Sequence, residues 1–336
     1  MTSLARYLFH AMFRGPIPDH PEFVEDLPPE DPYEREARHR AVRGDWPAAA
    51  KLLVDAGQDW AARGRRVGIL ADAAATEGAW LQNWLAAAPD DPGALLVHAE
   101  TLEIRAFRAR GSASAANTTP DQFRAFRYQT GLAAEAVERA VQGALPGDPV
   151  PYISKLGVMY GNPAVREQFD EVYAEGRRRD PHNADLHQTA MSLRCEKWFG
   201  SHERMFAIAR EAAAAAPDGS ATALLPLFAH YEYVLREYTW EAEVGKGLRA
   251  CRPYFRRAEV RAEMDAAVRK WGGGARSRTC LDWVALHHIL AGNRAEAKVI
   301  IDELGPVVAP SPAWHYVYSG SEYGYIRGWL WVNRLG

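Results

Sequence analysis

Five arginines that could bind an anion lie on either side of one predicted helix turn. Three come at the end of one helix and two at the start of the next, and they are Arg105, Arg108, Arg110, Arg124 and Arg127. A loop of small residues at 111–118 joins the helices, so an antiparallel hairpin would gather the guanidinium groups beside Phe107 and Phe126. Guanidinium groups pair with carboxylates and phosphates through parallel hydrogen bonds. The sequence therefore predicts a basic clamp for an anionic group at this hairpin.

The same arginines have a structural explanation, which the sequence leaves open. Glu100, Glu103 and Asp121 are close to them along the chain and could neutralise their charge. Arginines near the end of a helix also interact favourably with the helix dipole. Exposed charges of this kind are usually solvated and contribute little to stability. The arginines are thus either a binding clamp or a solvated charged face.

An aromatic segment is the second candidate for a binding surface. Between residues 314 and 331 the sequence contains three tryptophans and four tyrosines. Aromatic side chains at this density either seal the last repeat of a helical array or line a groove for a peptide or a flat ligand. In the groove interpretation Trp314 and Tyr316 are contact residues, and Glu322 is the polar anchor.

Histidine, cysteine and serine residues form no pattern typical of a catalytic or metal site. The candidates among the 11 histidines include His202 and the pair His287-His288, but none belongs to an HExxH motif or to an i, i+4 histidine pair with a carboxylate. The sequence also has no Gly-x-Ser-x-Gly elbow. We therefore predict no metal site, no cofactor and no catalytic residue.

Composition and charge exclude several classes of protein. The 336 residues carry a formal net charge of -3 with a pI near 6.4, which argues against a nucleic-acid-binding or membrane-surface protein. The three cysteines are odd in number and widely separated, which is typical of buried thiols in a reducing compartment. No window reaches the roughly 20 apolar residues of a membrane span. These observations predict a soluble cytoplasmic protein.

A capping residue followed by proline occurs seven times and predicts helix starts. A side-chain oxygen there accepts hydrogen bonds from the first helical turn, and proline lacks only an N–H that would be unpaired anyway. The pairs are Asp31-Pro32, Asp91-Pro92, Thr119-Pro120, Asp148-Pro149, Asn162-Pro163, Asp180-Pro181 and Ser311-Pro312. Apolar residues at helical spacing accompany them, as at Leu95, Ala99, Leu102 and Ala106. The predicted fold class is all-α.

The spacing of these starts predicts antiparallel helix hairpins. Those at 148 and 180 are 180 − 148 = 32 residues apart, close to the roughly 34 residues of a tetratricopeptide helix pair. We expect an N-terminal helix and a proline-rich acidic connector at 1–30, followed by a helical repeat array at 31–271. A C-terminal hairpin with the aromatic cap is predicted at 275–336. Three glycines at 272–274 would form the joint, since they cannot continue a helix cheaply.

Short motifs along the chain resemble those of a known repeat family. They are Trp84-Leu85, Pro89 to Pro92, Ala94-Leu95-Leu96, Ala106 to Gly111, Asp148-Pro149 with Tyr152, Asp180-Pro181, Lys197 to Ser201, and Leu290-Ala291-Gly292. Together they resemble an uncharacterised bacterial family of tetratricopeptide-like proteins over roughly residues 80–320. The resemblance implies an all-helical fold, an α-solenoid of stacked hairpins, and supplies no activity.

These observations together favour a non-enzymatic scaffold that binds a protein or peptide. Stacked hairpins curve, and partners bind on the concave face. The predicted contacts are Arg105, Arg108, Arg124, Arg127, Tyr160 and Trp198, with Trp314, Tyr316 and Glu322 in the tail. The alternative is an enzyme or small-ligand-binding protein with an unrecognised site between the array and the aromatic tail. The oligomeric state is left open.

Overall fold

The computed structural model is almost entirely helical. It describes residues 12, 19–25, 31–111, 117–198 and 200–335. About 74% of the chain is helix, which confirms the predicted all-α class. The predicted N-terminal helix at 1–15 lies outside the described residues, apart from Met12. Within the described ranges, no helix is long and apolar enough to cross a membrane.

Contacts between Cα atoms divide the chain into two compact units. The central unit comprises Pro28–Arg194, and the terminal unit combines Met1–Leu27 with Cys195–Gly336. The chain therefore leaves the terminal unit after Leu27 and returns to it at Cys195. The glycines at 272–274, where the sequence predicts a joint, lie within the terminal unit.

The central unit consists of nine α-helices in its described residues. They are α1 (Pro32–Val42), α2 (Trp46–Val54), α3 (Trp60–Thr76), α4 (Ala79–Ala87), α5 (Pro92–Arg110), α6 (Pro120–Gln142), α7 (Val150–Gly157), α8 (Phe169–Arg179) and α9 (Ala184–Leu193). Short 3₁₀ turns at Val158–Tyr160 and Pro163–Gln168 connect α7 to α8. Successive helices pack against each other, and α3, α5, α7 and α9 also pack in that order.

Helices α5 and α6 form the longest hairpin of this unit. At one end the Gln122 side chain donates a hydrogen bond of 3.1 Å to the carbonyl of Arg110. At the other end Gly143 faces the side chain of Leu95. These contacts at opposite ends of the pair show that the helices are antiparallel, as predicted. The apolar stripe of α5, from Leu95 to Ala106, is buried as its spacing predicts.

The helix start predicted at Thr119-Pro120 is confirmed, and Thr119 and Gln122 form a capping box there. The Thr119 hydroxyl accepts a hydrogen bond from the Gln122 N–H, and the Gln122 side-chain oxygen accepts one from the Thr119 N–H. Two otherwise unpaired donors are satisfied in this way.

We expect Thr119→Ala to lower the free energy of unfolding by about 1 kcal/mol, because it removes the side-chain acceptor at the helix start. Urea denaturation followed by circular dichroism would measure this loss. Thr119→Ser is the matched control, since serine keeps the hydroxyl. Equal destabilisation by both variants would show that the cap bond contributes nothing.

The helix start predicted at Asp180-Pro181 is wrong by three residues. Asp180 ends α8, and its carboxylate accepts hydrogen bonds from the backbone of His182 and the side chain of Asn183. Asn183 is the residue that caps α9, by accepting from the Leu186 N–H at 3.1 Å. Two capping residues compete here, and the Asp180 side chain stabilises the turn instead of the helix.

The terminal unit contains eight further α-helices in its described residues. They are α10 (His202–Ala215), α11 (Leu225–Val234), α12 (Gly247–Phe255), α13 (Ala258–Trp271), α14 (Arg278–Ala291), α15 (Arg294–Leu304), α16 (Pro312–Tyr318) and α17 (Ser321–Val332). A π-helical turn at Leu235–Thr239 follows α11. The short strands β1 (Glu22–Phe23) and β2 (Val307–Val308) pair in parallel, so part of the acidic connector lies against this unit.

The predicted joint at 272–274 is a closely packed turn. Gly272 ends α13 in the left-handed conformation with φ 55°. A Cβ atom on Gly274 would lie 2.3 Å from the backbone oxygen of Gly219, and Ala275 donates a hydrogen bond of 2.8 Å to that oxygen. Glycine is needed at Gly274 because another backbone segment passes so near.

Candidate functional site

Two open cavities in the central unit share the side chain of Glu100. The first, of about 260 Å³, is lined by Gly64, Val67, Glu100, Val150, Ile153, Ser154, Asp185, Gln188 and Thr189. The second, of about 520 Å³, is lined by Glu100, Glu103, Ile104, Phe107, Arg108 and Gly111. Three carboxylates therefore face these cavities. We call this set, Glu100, Glu103 and Asp185, the carboxylate site.

Alternate helices of the central unit supply the walls of the first cavity. Its lining residues lie on α3, α5, α7 and α9. The intervening helices α4, α6 and α8 contribute none of the lining side chains. Every second helix from α3 to α9 thus lines one cavity.

The helical repeat of α5 places its two acidic residues on one face. Glu100 and Glu103 are three residues apart, and Phe107 follows four residues after Glu103, so all three are neighbours on the helix surface. Leu95, Ala99, Leu102 and Ala106 occupy an adjacent, buried face. One helix therefore contributes to the apolar core and to the carboxylate site at once.

Gly157, the last residue of α7, leaves room for the Glu103 carboxylate. A Cβ atom on Gly157 would lie 2.1 Å from Oε1 of Glu103 and 2.5 Å from Oε2. Any larger residue at 157 would displace the carboxylate from this position. The absence of a side chain at Gly157 is thus what admits an acidic group between α5 and α7.

Desolvation raises the pKa of all three carboxyl groups in the site. Glu100 and Glu103 are half-buried, and Asp185 is exposed. The surrounding protein nevertheless raises the pKa of Glu103 well above its usual value, and the neighbouring charge of Glu100 adds to this. The pKa of Glu100 is raised by burial, against the lowering effect of a 2.9 Å hydrogen bond from Ser154. Desolvation by the neighbouring helices also raises the pKa of Asp185.

Glu100 and Glu103 form no ion pair with a described lysine, arginine or histidine. Arg108 lines the same cavity as Glu103, but its guanidinium group pairs with Asp72 at 2.6 Å. Near Asp185, Arg65 lowers the carboxyl pKa only enough to offset part of the desolvation effect. The one arginine in the lining of the second cavity is thus paired with another carboxylate and not with Glu100 or Glu103. A cationic ligand would supply a partner for these two carboxylates.

Aromatic rings form one wall beside the carboxylates. Phe107 lines the second cavity, and its ring centroid lies 5.3 Å from that of Phe126 and 5.7 Å from that of Tyr160. Aromatic faces attract cations, and carboxylates form ion pairs with cations. Tyr160, a predicted contact residue, therefore lies beside an aromatic and acidic surface.

The predicted arginine clamp is distributed over several different partners. Arg105 donates hydrogen bonds to the carbonyl oxygens of Ala74 and Ala75 near the end of α3, and Arg108 pairs with Asp72 of the same helix. Arg124 forms an ion pair with Asp121, and Arg127 is exposed. The arginines of α5 thus stabilise the end of α3.

The predicted contacts in the terminal unit differ widely in exposure. Trp314 is fully buried, and its indole N–H donates a hydrogen bond of 2.8 Å to Asp282. Tyr316 is half-buried, with its hydroxyl 3.3 Å from Nζ of Lys197. Trp198 is half-buried, and Glu322 is exposed in the first turn of α17. Trp314 therefore packs in the core, and a partner reaches it only if α16 moves.

Two properties of the sequence conceal the carboxylate site. Glu100 and Glu103 lie close to arginines along the chain, so the sequence suggests ion pairs, whereas Arg108 pairs with Asp72 in the structure. Ser154 and Asp185 lie 54 and 85 residues after Glu100, and no motif links residues at such distances. Two acidic residues three apart, followed by an aromatic residue on the same helix face, are the signal that was available.

Comparison of the chain with protein-family models, curated proteins and solved structures found no match. The resemblance to a tetratricopeptide-like bacterial family therefore stays a prediction from the sequence motifs. Function has to be argued from the carboxylate site itself.

Proposed function

We propose that this protein is a non-enzymatic scaffold that binds a basic segment of a protein partner at the carboxylate site. The observation that carries the proposal is the unbalanced charge of Glu100 and Glu103, which face a cavity without a cationic partner among the described residues. Partly buried carboxylates without a counter-ion cost free energy. A lysine or arginine side chain of a partner would remove that cost on binding.

The lining of the second cavity combines apolar and acidic side chains, as the stem and head group of a basic side chain require. Ile104 and Phe107 offer apolar surface for the aliphatic stem of a lysine or arginine. Glu100 and Glu103 lie on the same helix face and would pair with the charged head group. Apolar walls beside carboxylates favour a basic side chain over a hydrated inorganic cation.

The arrangement of helices supports a tetratricopeptide-like array in the central unit. Helices α7 and α9 begin 184 − 150 = 34 residues apart, the spacing of a tetratricopeptide pair. In a tetratricopeptide-like array, the first helix of each hairpin lines the concave face. The cavity lined by α3, α5, α7 and α9 would lie on such a face. We infer that the partner segment crosses these helices.

The free thiols support a reducing compartment for this function. Cys195, Cys251 and Cys280 are buried, and no disulfide joins any two of them. Burial raises the pKa of Cys195 and of Cys251 to about 12, which makes these thiols unreactive as nucleophiles. We propose a cytoplasmic location on this ground.

Fluorescence anisotropy with two labelled decapeptides tests the proposal. One alternates lysine with serine and the other alternates glutamate with serine. We expect the lysine peptide to bind at least about tenfold more tightly, because its ammonium groups complement Glu100 and Glu103. Added salt should weaken this binding, since the attraction is electrostatic.

The variants Glu100→Gln and Glu103→Gln locate the binding. Each should weaken binding of the lysine peptide about tenfold or more, whereas Glu135→Gln on the exposed face of α6 changes net charge equally and should have little effect. Equal effects of all three would indicate attraction to net charge alone and contradict the proposal. Preference for the glutamate peptide would instead favour the predicted arginine clamp.

A further inference from the structure

Three side chains of the terminal unit converge in the way that metal ligands do. Nε2 of His202 lies 3.0 Å from Oε2 of Glu196 and 3.0 Å from Oε1 of Glu237. One potential ligand atom from each residue lies within 4.8 Å of the others. In a tetrahedral site with bonds of about 2.1 Å, ligand atoms are about 3.4 Å apart. The two nitrogen–oxygen distances are thus close to those of a metal site.

Regular elements and aromatic packing hold these side chains in place. His202 is the first residue of α10, where Ser201 caps the helix, and its ring packs on Tyr233 with centroids 4.6 Å apart. Glu237 lies in the π-helical turn after α11. Turns of this kind are frequent at functional sites. The histidine ring is therefore positioned before any ion binds, which lowers the cost of binding.

Hydrogen bonding alone does not satisfy the two carboxylates. Nε2 carries at most one proton, yet a carboxylate oxygen lies 3.0 Å away on each side. Arg236 pairs with Glu196 at 3.4 Å, and no described lysine or arginine pairs with Glu237. One proton shared between the ring and two carboxylates leaves negative charge that is not neutralised. A divalent ion bound to Nε2 and to both carboxylates would neutralise that charge.

We propose that Glu196, His202 and Glu237 bind a divalent metal ion, with Zn²⁺ preferred. One imidazole nitrogen and two carboxylate oxygens are a common Zn²⁺ ligand type, with water able to complete a tetrahedron. Mg²⁺ and Ca²⁺ prefer sites made only of oxygen atoms. This site is independent of the carboxylate site in the central unit.

The surroundings of the ring predict a modest affinity. When Nε2 binds a metal, the proton of the neutral ring lies on Nδ1, which is buried without a hydrogen-bond partner among the described residues. An unpaired buried donor weakens binding, and metal-binding histidines normally have a partner for that proton. We therefore expect a dissociation constant in the micromolar range.

Isothermal titration of the full chain with Zn²⁺, after chelator treatment, tests the proposal. We expect one ion per chain at this site and no binding of Mg²⁺ at equal concentration. Glu237→Gln should weaken binding at least about tenfold, because it removes one charged ligand at an exposed position. Glu203→Gln, a neighbouring exposed carboxylate on α10, is the matched control and should bind like the parent chain.

Co²⁺ absorption in the visible range separates this site from the other histidines. A tetrahedral Co²⁺ spectrum should appear with the parent chain and with Glu203→Gln, and should be lost in Glu237→Gln and His202→Ala. Equal melting temperatures of parent and Glu237→Gln chains without metal would show that the fold is kept. Binding unchanged in Glu237→Gln, or no binding at about 100-fold the expected dissociation constant, would overturn the proposal.

Discussion

Replacing Glu103 by glutamine should stabilise the protein while it removes partner binding. Glutamine has the same shape as glutamate and fits the space above Gly157, but it carries no charge to be desolvated. We expect the free energy of unfolding near neutral pH to rise by about 1–2 kcal/mol. The same variant should weaken binding of the lysine peptide about tenfold or more, since the pairing charge is gone.

The stabilisation by Glu103→Gln should increase as the pH rises. The pKa of Glu103 is raised in the folded state, so between 4.5, its ordinary value, and the raised pKa the folded chain binds more protons than the unfolded chain. The contribution of Glu103 to the stability of the parent chain is therefore fully present below its pKa in the unfolded state. This contribution is lost as the pH rises through its pKa in the folded state. Glutamine does not titrate, so the advantage of the variant should grow with pH.

Thermal unfolding of both chains between about pH 5 and pH 8 measures this effect. Glu135→Gln is the control, because it removes an exposed carboxylate of the same central unit. A variant that is less stable than the parent chain at neutral pH would show that the Glu103 carboxylate is paired in solution. A stability difference independent of pH would likewise contradict its raised pKa.

Opposite effects on stability and binding would distinguish a functional site from a structural one. A carboxylate that only stabilises the fold loses stability when it is neutralised, because its partners are left unpaired. A carboxylate kept for a ligand costs stability until the ligand binds. Glu103 has the second pattern of contacts, with burial, a like charge nearby and no cation. Measurements of stability and peptide binding on Glu103→Gln therefore decide between the two roles.

Local signals in the sequence predict most of the helices, because each signal acts within a few residues. Thr119 with Gln122, and Asp91 with Pro92, begin helices as predicted, since a cap needs only the next turn. Asp180 fails because Asn183 is a competing cap three residues on. The strands at Glu22–Phe23 and Val307–Val308 are too short for any alternation to be visible.

The carboxylate site could not be predicted in the same way, because it depends on distant segments. Helical spacing in the sequence shows on which face of α5 Glu100 lies. Its hydrogen bond with Ser154, however, depends on how α5 packs on α7. The partners of the arginines could not be predicted for a related reason. Arg105 and Arg108 contact α3, which is separated from α5 in the sequence by α4. The spacing of the two arginines along α5 does not indicate that contact.

A buried ion pair links α3 to the start of α7, next to the carboxylate site. Arg63 donates a hydrogen bond of 2.7 Å to Asp148, and both side chains are almost fully buried. The same Asp148 carboxylate accepts a hydrogen bond of 2.9 Å from the Val150 N–H and so caps α7. This pair therefore joins two of the helices that line the first cavity.

Removing one partner of this pair should cause a large loss of stability. Arg63→Met keeps most of the side-chain volume but leaves Asp148 as an uncompensated buried charge. We expect the free energy of unfolding, measured by urea denaturation, to fall by about 3–5 kcal/mol. Lys51→Met is the matched control, because the Lys51–Asp55 pair is exposed and its loss should barely change stability.

The double variant Arg63→Met/Asp148→Asn separates charge burial from loss of the contact. Asparagine keeps the acceptor for the Val150 N–H but has no charge, so the double variant should recover most of the stability lost in Arg63→Met. If the double variant is as unstable as the single one, the loss arises from packing around Arg63. Recovery would show that the charge of Asp148 requires Arg63, in contrast to Glu103, whose charge has no partner within the described chain.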